Sequence, residues 1–432
     1  MLPSPLVLPI ARAARALVPA VLIGFCATPS LALDWTAAKD ELSAIGLDPS
    51  FVYDGDLATN AAGGLKRGTA YVGNLHLKLE LDGEKLLDQP SLTVYLDGLG
   101  VHGGQPSGQA GDAQGVSNIA APAQFSLYEA WVQFNSQDGR VSLLAGQYDL
   151  NAEFYRLNSA DLFLNSSFGM GPEFAQSGRD GPSAFPDTSL GIRIGFKPTE
   201  NIVFRAAILD GVPVDRPVGT PGLFSRHDGA LLVAEAVLLG RPGQAMSAMT
   251  LHTLIGRASA LSPYDDKIAM GGWYYTADFP DLSSIDAGGT PLRHRGSGGA
   301  YFIADKLLYE AGENDGTRVS GFVQAGLGDN RVNRFSSYLG AGVAATGLIP
   351  QRPNDELGLA AAIGFGSSHY SRAQALLGVD DDAAEIAIEA TYLSQITDWL
   401  ALQPDLQYVI HPNTDPEIGN AFVFQIQFEV SL

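Results

Sequence analysis

The chain has 432 residues, a formal net charge of −21 and a mean hydropathy of +0.06. The acidic charge argues against nucleic acid as a partner, because a phosphate backbone binds a basic surface. After the first 32 residues, no stretch approaches the ~18 consecutive apolar residues of a membrane helix. A mean hydropathy near zero is instead typical of a membrane β-barrel, in which an apolar outer wall and a polar lumen wall offset one another.

Residues 1–32 have the features of a secretory signal peptide. Arg12 and Arg15 precede a short apolar run, and Ser30-Leu31-Ala32 is an A-x-A-like cleavage site. The run is too short to span a bilayer, so we expect this segment to be removed after secretion. Cys26, the only cysteine, lies inside it. The mature chain is therefore expected to fold without disulfides.

Residues 33–47 are predicted to form a short periplasmic helix. Trp35, Ala38, Leu42 and Ile45 would share one helix face, and Gly46 would end the helix.

The rest of the chain alternates apolar and polar residues in short runs, which predicts β-strands. Seventeen runs qualify: 48–60, 68–82, 90–101, 123–136, 140–148, 188–197, 201–211, 229–239, 248–258, 267–277, 298–308, 317–327, 338–346, 356–366, 383–393, 399–411 and 420–432. Bacterial single-chain barrels use even numbers of strands. Short and long connections alternate only if 240–266 is one irregular periplasmic excursion, so 248–258 is rejected. The prediction is an all-β fold, a transmembrane antiparallel β-barrel of 16 strands spanning residues 48–432.

Connection lengths predict which side of the membrane each turn faces. Short turns such as 135–140, 197–201 and 394–398 belong on the periplasmic side. The long connections then all lie outside the cell: 102–122, 149–187, 212–228, 278–297 and 367–382.

The connection 149–187 is too long for a plain hairpin and too apolar for disorder. We expect this extracellular loop to fold into the barrel, where it would narrow the lumen.

The last eleven residues alternate without a break. Phe422, Phe424, Ile426 and Phe428 share one parity, while Gln425 and its polar neighbours take the other. A terminal strand with one continuous apolar face is typical of an outer-membrane barrel.

The same parity argument assigns residues to the lumen, because a Lys or Arg at the lipid-facing midplane costs about 2–4 kcal/mol. Tyr128, Ala130, Val132 and Phe134 would face lipid. Polar and aromatic side chains on the opposite parities would face the lumen: Lys78, Tyr95, Asp97, Glu129, Trp131, Arg193, Arg205, Glu235, Gln403, Asp405 and Gln407. Charged and amide groups can exchange hydrogen bonds with sugar hydroxyls, and an indole can stack on a pyranose. Lys78, Glu129 and Trp131 are the leading candidates for sugar contact at the constriction.

Several segments resemble the carbohydrate-selective porin (OprB) family. They are 146–154 (GQYDLNAEF), 165–169 (NSSFG), 191–193 leading to 197–201 (KPTEN), 322–326 (FVQAG) and 403–412 (QPDLQYVIHP). The resemblance runs from about residue 50 to the end and implies a sixteen-stranded outer-membrane channel that passes sugars by diffusion. It also adds Asp149, Asn151 and Glu153 to the expected pore lining. The chain departs from the family pattern at 240–266 and at Leu432, which replaces the usual terminal aromatic residue.

The leading hypothesis is a passive sugar porin in the outer membrane of a Gram-negative bacterium, with mono- or oligosaccharides and outer-membrane lipid as partners. A general small-solute channel is the main alternative. An outer-membrane barrel hydrolase would need a Ser and His near the rim, and the parities supply none. A soluble secreted β protein would not need the apolar face of the last strand. No cofactor or metal is expected, since the seven histidines lack ligand spacing. A homotrimer is left open.

Overall fold

The computed structural model describes residues 35–213, 228–240, 266–311 and 317–432. In these residues, sixteen antiparallel strands close into one barrel. The strands are β1 Leu47–Gly64, β2 Gly68–Asp82, β3 Leu92–Gly103, β4 Gln124–Asn135, β5 Val141–Tyr148, β6 Ser189–Thr199, β7 Ile202–Asp210, β8 Ala230–Leu239, β9 Asp266–Ile285, β10 Pro291–Glu310, β11 Arg318–Gly328, β12 Phe335–Thr346, β13 Glu356–Gly366, β14 Ala384–Thr397, β15 Leu400–Ile410 and β16 Gly419–Ser431. The predicted sixteen-stranded barrel is confirmed. The predicted signal peptide and the rejected run 248–258 lie outside the described residues.

The barrel closes where the first strand pairs with the last. Asp54 of β1 lies opposite Glu429 of β16, and Asp56 lies opposite Gln427. Along β16 the predicted alternation holds, because Phe422, Phe424 and Ile426 are exposed on the outside while Gln425 and Gln427 are buried on the inside. Exposed apolar side chains recur in this way on the other strands and form the apolar outer surface that a bilayer requires.

One predicted connection is wrong. The segment 278–297 was expected to be a long loop, but β9 and β10 run on past their predicted ends and leave only a turn at 286–290. The extension mixes polar and apolar residues and contains Pro280, Pro291 and Gly296, and Asp278 is paired across the strands with Arg295. Because proline and glycine are typical of loops, the sequence pattern did not indicate that strand pairing continues here.

Five short helices accompany the barrel in the described residues. They are α1 Trp35–Ala44, α2 Gly83–Leu87, α3 Ser107–Ala110, α4 Pro172–Ala175 and α5 Ser368–Leu376. Helix α1 confirms the predicted N-terminal helix. Helix α2 sits in the β2–β3 turn, where the Asp82 carboxylate caps it by accepting from Glu84 N at 2.8 Å. None of the described helices has the length and apolar character needed to cross a membrane.

Candidate solute pathway

Three carboxylates on the inner face of the barrel hold the backbone of the long loop, residues 149–188. Glu235 of β8 accepts from Tyr155 N at 3.1 Å. Asp305 of β10 accepts from Ser159 N at 2.9 Å and from its hydroxyl at 2.6 Å. Glu389 of β14 accepts from two further loop N–H groups. Because these strands lie on different sides of the barrel, the loop crosses its interior.

The apolar side chains of the long loop form a core inside the barrel. Phe174 stacks on Trp273 of β9 with ring centroids 4.1 Å apart. Phe163 packs 5.6 Å from Phe322 of β11. Glutamine side chains of the wall also hold the loop, since Gln403 Nε2 donates to Leu162 O at 2.6 Å. The apolar side chains of the long loop are thus removed from water by packing against the inner wall.

Arg193 organises the beginning of the long loop. Its Nε donates to Glu153 Oε2 at 2.7 Å, and its two terminal nitrogens donate to Ser142 Oγ at 2.6 Å and Gln133 Oε1 at 2.8 Å. Tyr148 also donates to Glu153, at 2.7 Å. The guanidinium is completely buried. All of its nitrogens therefore bind protein groups, and none is open to a solute.

Arg205 and Glu235 continue this network. Arg205 Nη1 donates to Glu235 Oε1 at 3.1 Å, and Tyr301 donates to Glu235 Oε2 at 2.9 Å. Arg205 also lies 3.9 Å from Glu153. Opposite charges thus compensate one another where burial in protein would otherwise be costly.

Glu173 on α4 is the most enclosed acidic group of the long loop. It accepts from Tyr155 Oη at 3.1 Å. It rests on the β11 backbone at Gly326, where a Cβ would come within 1.8 Å of Glu173 Oε1. Burial raises the pKa of the Glu173 carboxyl to about 7.

A second loop, the β3–β4 loop at residues 104–123, also folds inward. Glu385 of β14 accepts from Ala113 N and Gln114 N at 2.8 and 2.9 Å. Gln407 of β15 and Gln425 of β16 both donate to Val116 O at 2.8 Å. The interior thus holds two loops, of which the sequence predicted one.

Glu129, Trp131 and Tyr95 form an aromatic corner at the start of the long loop. Trp131 stacks on Tyr95 at 5.0 Å and donates from Nε1 to Glu129 Oε1 at 3.2 Å. The same Glu129 oxygen accepts from Asp149 N at 3.1 Å. Asn151 braces the loop by donating to Gly169 O at 3.1 Å. Trp131 is only 3% exposed, so Tyr95 and the loop cover its ring.

The prediction that Tyr128 faces lipid is wrong. The pairing of β3 with β4 shifts at this residue, because Asp97 pairs with Glu129 whereas Gly98 pairs with Leu127. Tyr128 is the extra residue of this β-bulge and turns inward. Its hydroxyl donates to Asp149 Oδ2 at 2.6 Å.

The wall formed by β2 and β3 is different, because its polar candidates hold neither loop. Lys78, Asp97 and Glu129 share one row across β2, β3 and β4. Asp97 contacts His76 Nδ1 at 2.7 Å. Within the described residues, the Lys78 ammonium and the Tyr95 hydroxyl have no hydrogen-bond partner.

Among the carboxylates that hold the loops, Glu129 and Glu235 were sequence candidates, whereas three others were not named. Asp305, Glu385 and Glu389 lie on the polar parities of predicted strands, so their inward direction could have been found. Their partners are backbone N–H groups of distant loops, for which the sequence carries no signal. Among the described residues, no group of three or more His, Cys, Asp or Glu side chains could hold a metal ion.

A closed sixteen-stranded barrel with an apolar outside, a polar inside and infolded loops defines an outer-membrane porin. Residues 66–432 match the family described as "Carbohydrate-selective porin, OprB family", and the chain belongs to that family. The outer membrane of a Gram-negative bacterium is therefore its location.

The chain is similar to Porin B of Pseudomonas aeruginosa, with 23% identity over 427 residues that cover 92% of this chain and 90% of that protein. Among solved structures, the high-pH structure of Pseudomonas putida OprB superposes with a TM-score of 0.77 at 20% identity, covering 92% of this chain and 97% of that one. An anion-selective porin from Comamonas acidovorans reaches a TM-score of 0.51 at 10% identity, covering 89% and 99%. At these identities the structural matches establish the fold alone.

Proposed function

We propose that sugars cross this porin by passive diffusion along the inner faces of β2 and β3, beside the two infolded loops. The supporting observation is the distribution of hydrogen bonds. Wall side chains on β4, β8, β14 and β16 bind loop residues, whereas Lys78, Tyr95 and Asp97 do not. The long loop and the β3–β4 loop narrow the lumen beside this wall, where Ile119 and Ala121 of the β3–β4 loop pack in one buried cluster with Leu99 of β3.

The chemistry of this wall suits a sugar. The Lys78 ammonium supplies donors, and the Tyr95 hydroxyl supplies a donor or an acceptor. The Asp97 carboxylate, which is 1% exposed and bonded to His76, lies behind them in the same row, and the Tyr95 ring covers Trp131. Glu129 closes the row. Such contacts replace water at the sugar hydroxyls while binding stays weak enough for release. Arg193, Arg205, Glu235, Asp149, Asn151 and Glu153 are assigned to holding the long loop that narrows the path.

Sugar block of ion current across a planar bilayer tests this path. Lys78→Met and Tyr95→Phe should each weaken the block about fivefold, which corresponds to a hydrogen bond worth about 1 kcal/mol. Lys85→Met is the control, because Lys85 lies in the β2–β3 turn and donates to Ser43 O rather than facing the lumen. Unchanged block in both wall variants would place the path elsewhere.

A comparison of sugars with other solutes distinguishes a sugar-selective porin from a general small-solute channel. Liposomes containing the protein should swell faster in monosaccharides and disaccharides than in amino acids of comparable size. Equal rates would favour a general small-solute channel. A homotrimer remains a prediction, which chemical cross-linking of the protein in native membranes would test.

We propose that the chain is a channel and not an enzyme. A Ser-His-Asp grouping does occur near the β9–β10 hairpin, but Ser283 Oγ and Asp281 Oδ1 both contact His369 Nδ1, at 3.2 and 2.9 Å. A catalytic triad requires the serine and the carboxylate on different ring nitrogens. Purified protein should therefore not hydrolyse activated esters, and a rate abolished by Ser283→Ala would contradict this assignment.

A further inference from the structure

Strand β14 carries two carboxylates on its inner face, and each binds two consecutive N–H groups of a different loop. Glu385 accepts from Ala113 N with Oε2 at 2.8 Å and from Gln114 N with Oε1 at 2.9 Å. Glu389 accepts from Leu164 N with Oε1 at 2.6 Å and from Asn165 N with Oε2 at 2.9 Å. Both carboxylates are completely buried. Each carboxylate therefore acts as a two-pronged acceptor for a pair of backbone donors.

The two loops also bind each other next to these anchors. Ser166 N, which follows Asn165, donates to Gly115 O at 2.8 Å, one residue beyond Gln114. Gln176 Nε2 of the long loop donates to Ala113 O at 2.7 Å. Strand, long loop and β3–β4 loop thus form a closed circuit of hydrogen bonds, so displacement of either loop strains the attachment of the other.

We propose that the two loops form a single barrier anchored on β14, with Glu385 and Glu389 as positioning residues that together set the size limit for passing solutes. This inference builds on the proposed sugar path, which the barrier borders. The β3–β4 loop is then part of the selectivity device and not only a surface connection.

Glutamine substitutions test the anchors with little change in side-chain volume. Glu389 presents its two oxygens to two N–H donors, and Glu385 presents its two oxygens to three, because Asn413 N also donates to Glu385 Oε2. Glu385→Gln or Glu389→Gln would therefore turn an amide NH₂ toward a backbone N–H. We expect each variant to raise single-channel conductance roughly twofold by freeing its loop and widening the path. Measurements in 1 M KCl screen the change in charge, since the Debye length there is about 3 Å.

The double variant tests whether the barrier is shared. If the loops act together, Glu385→Gln with Glu389→Gln should raise conductance by clearly less than the product of the single effects. Glu310→Gln is the matched control, because Glu310 is exposed on β10 and pairs with Arg318 at 2.7 Å, away from both loops. Its conductance should equal that of the wild type.

Two results would overturn the proposal. An unchanged conductance in Glu385→Gln would leave the long loop as the sole barrier. A conductance gain in the double variant equal to the product of the single gains would show that the loops act independently.

A heat-dependent shift in electrophoretic mobility verifies that each variant folds. If a variant fails this check, Ala113→Cys with Gln176→Cys tests the same contact, because a cross-link between the loops should lower conductance and a reductant should restore it. Conductance reports the barrier even if sugar-induced swelling fails, so the two proposals fall separately.

Discussion

Many polar side chains on the inner wall of this barrel form hydrogen bonds with the two infolded loops. Arg193 is the clearest case, with its guanidinium fully buried among Glu153, Ser142 and Gln133. From the sequence alone, we predicted that this arginine lines the pore, where it could contact sugar. In the structure, its guanidinium holds the start of the long loop against β4, β5 and β6.

Arg193→Met should lower the free energy of unfolding by about 3–5 kcal/mol, because Glu153 would remain buried without its main partner. Urea denaturation in detergent micelles, followed by the loss of the heat-shifted electrophoretic band, measures the change. Adding Glu153→Gln should recover a large part of the loss. Arg140→Gln, in an exposed turn, should have almost no effect.

Tyr128 marks the limit of sequence reasoning at this scale. The period-two pattern predicted strand positions and most side-chain faces, because a barrel separates apolar from polar parity along each strand. A bulge adds one residue and reverses that parity. Its trace in the sequence is slight, since the exposed apolar residues change from odd numbers at Phe125 and Leu127 to an even number at Phe134. The sequence also did not predict that the β3–β4 loop folds inward. The loop is attached through backbone N–H and C=O groups, which every residue type can present.

At the scale of elements, the long loop is the main filling of the barrel. Its docking combines aromatic packing with carboxylates that accept backbone N–H groups. Deleting residues 158–180 should raise single-channel conductance several-fold, because both the ring contacts and the Asp305 and Glu389 attachments disappear. Deleting 287–289 in the β9–β10 turn should leave conductance unchanged. Equal conductance in all three proteins would show that the loop does not limit flow.

Loop docking should also depend on pH through Glu173. Its pKa is raised from 4.5 to about 7, so the docked loop favours the protonated carboxyl. The protonated Glu173 carboxyl therefore stabilises the docked loop by at most about 3 kcal/mol. This stabilisation is fully present below about pH 4.5 and is lost as the pH rises through 7. Hydrogen exchange of the loop amides should therefore speed up between pH 5 and 8 beyond the intrinsic rate increase. Glu173→Gln should remove that excess, and an unchanged pH profile would contradict the assignment.

At the scale of the whole molecule, the barrel depends on the pairing of its two end strands. Residues 52–60 of β1 pair with 423–431 of β16. Removing 419–432 should prevent closure, because β1 and β15 would both become unpaired edges. The truncated chain should lack the heat-dependent electrophoretic shift, whereas Leu432→Phe, which keeps an apolar side chain at this position, should retain it.

The loop anchors on β8, β10 and β14 have a consequence for the order of folding. These carboxylates come together around the long loop only when the sheet has curled, and the end strands that complete it are separated by nearly the whole of the barrel sequence. Contacts of such long sequence separation form slowly, because chain entropy is lost before they contribute stability. We therefore expect the loops to dock late, so that a newly inserted barrel would pass through a wider, leakier stage before its interior fills.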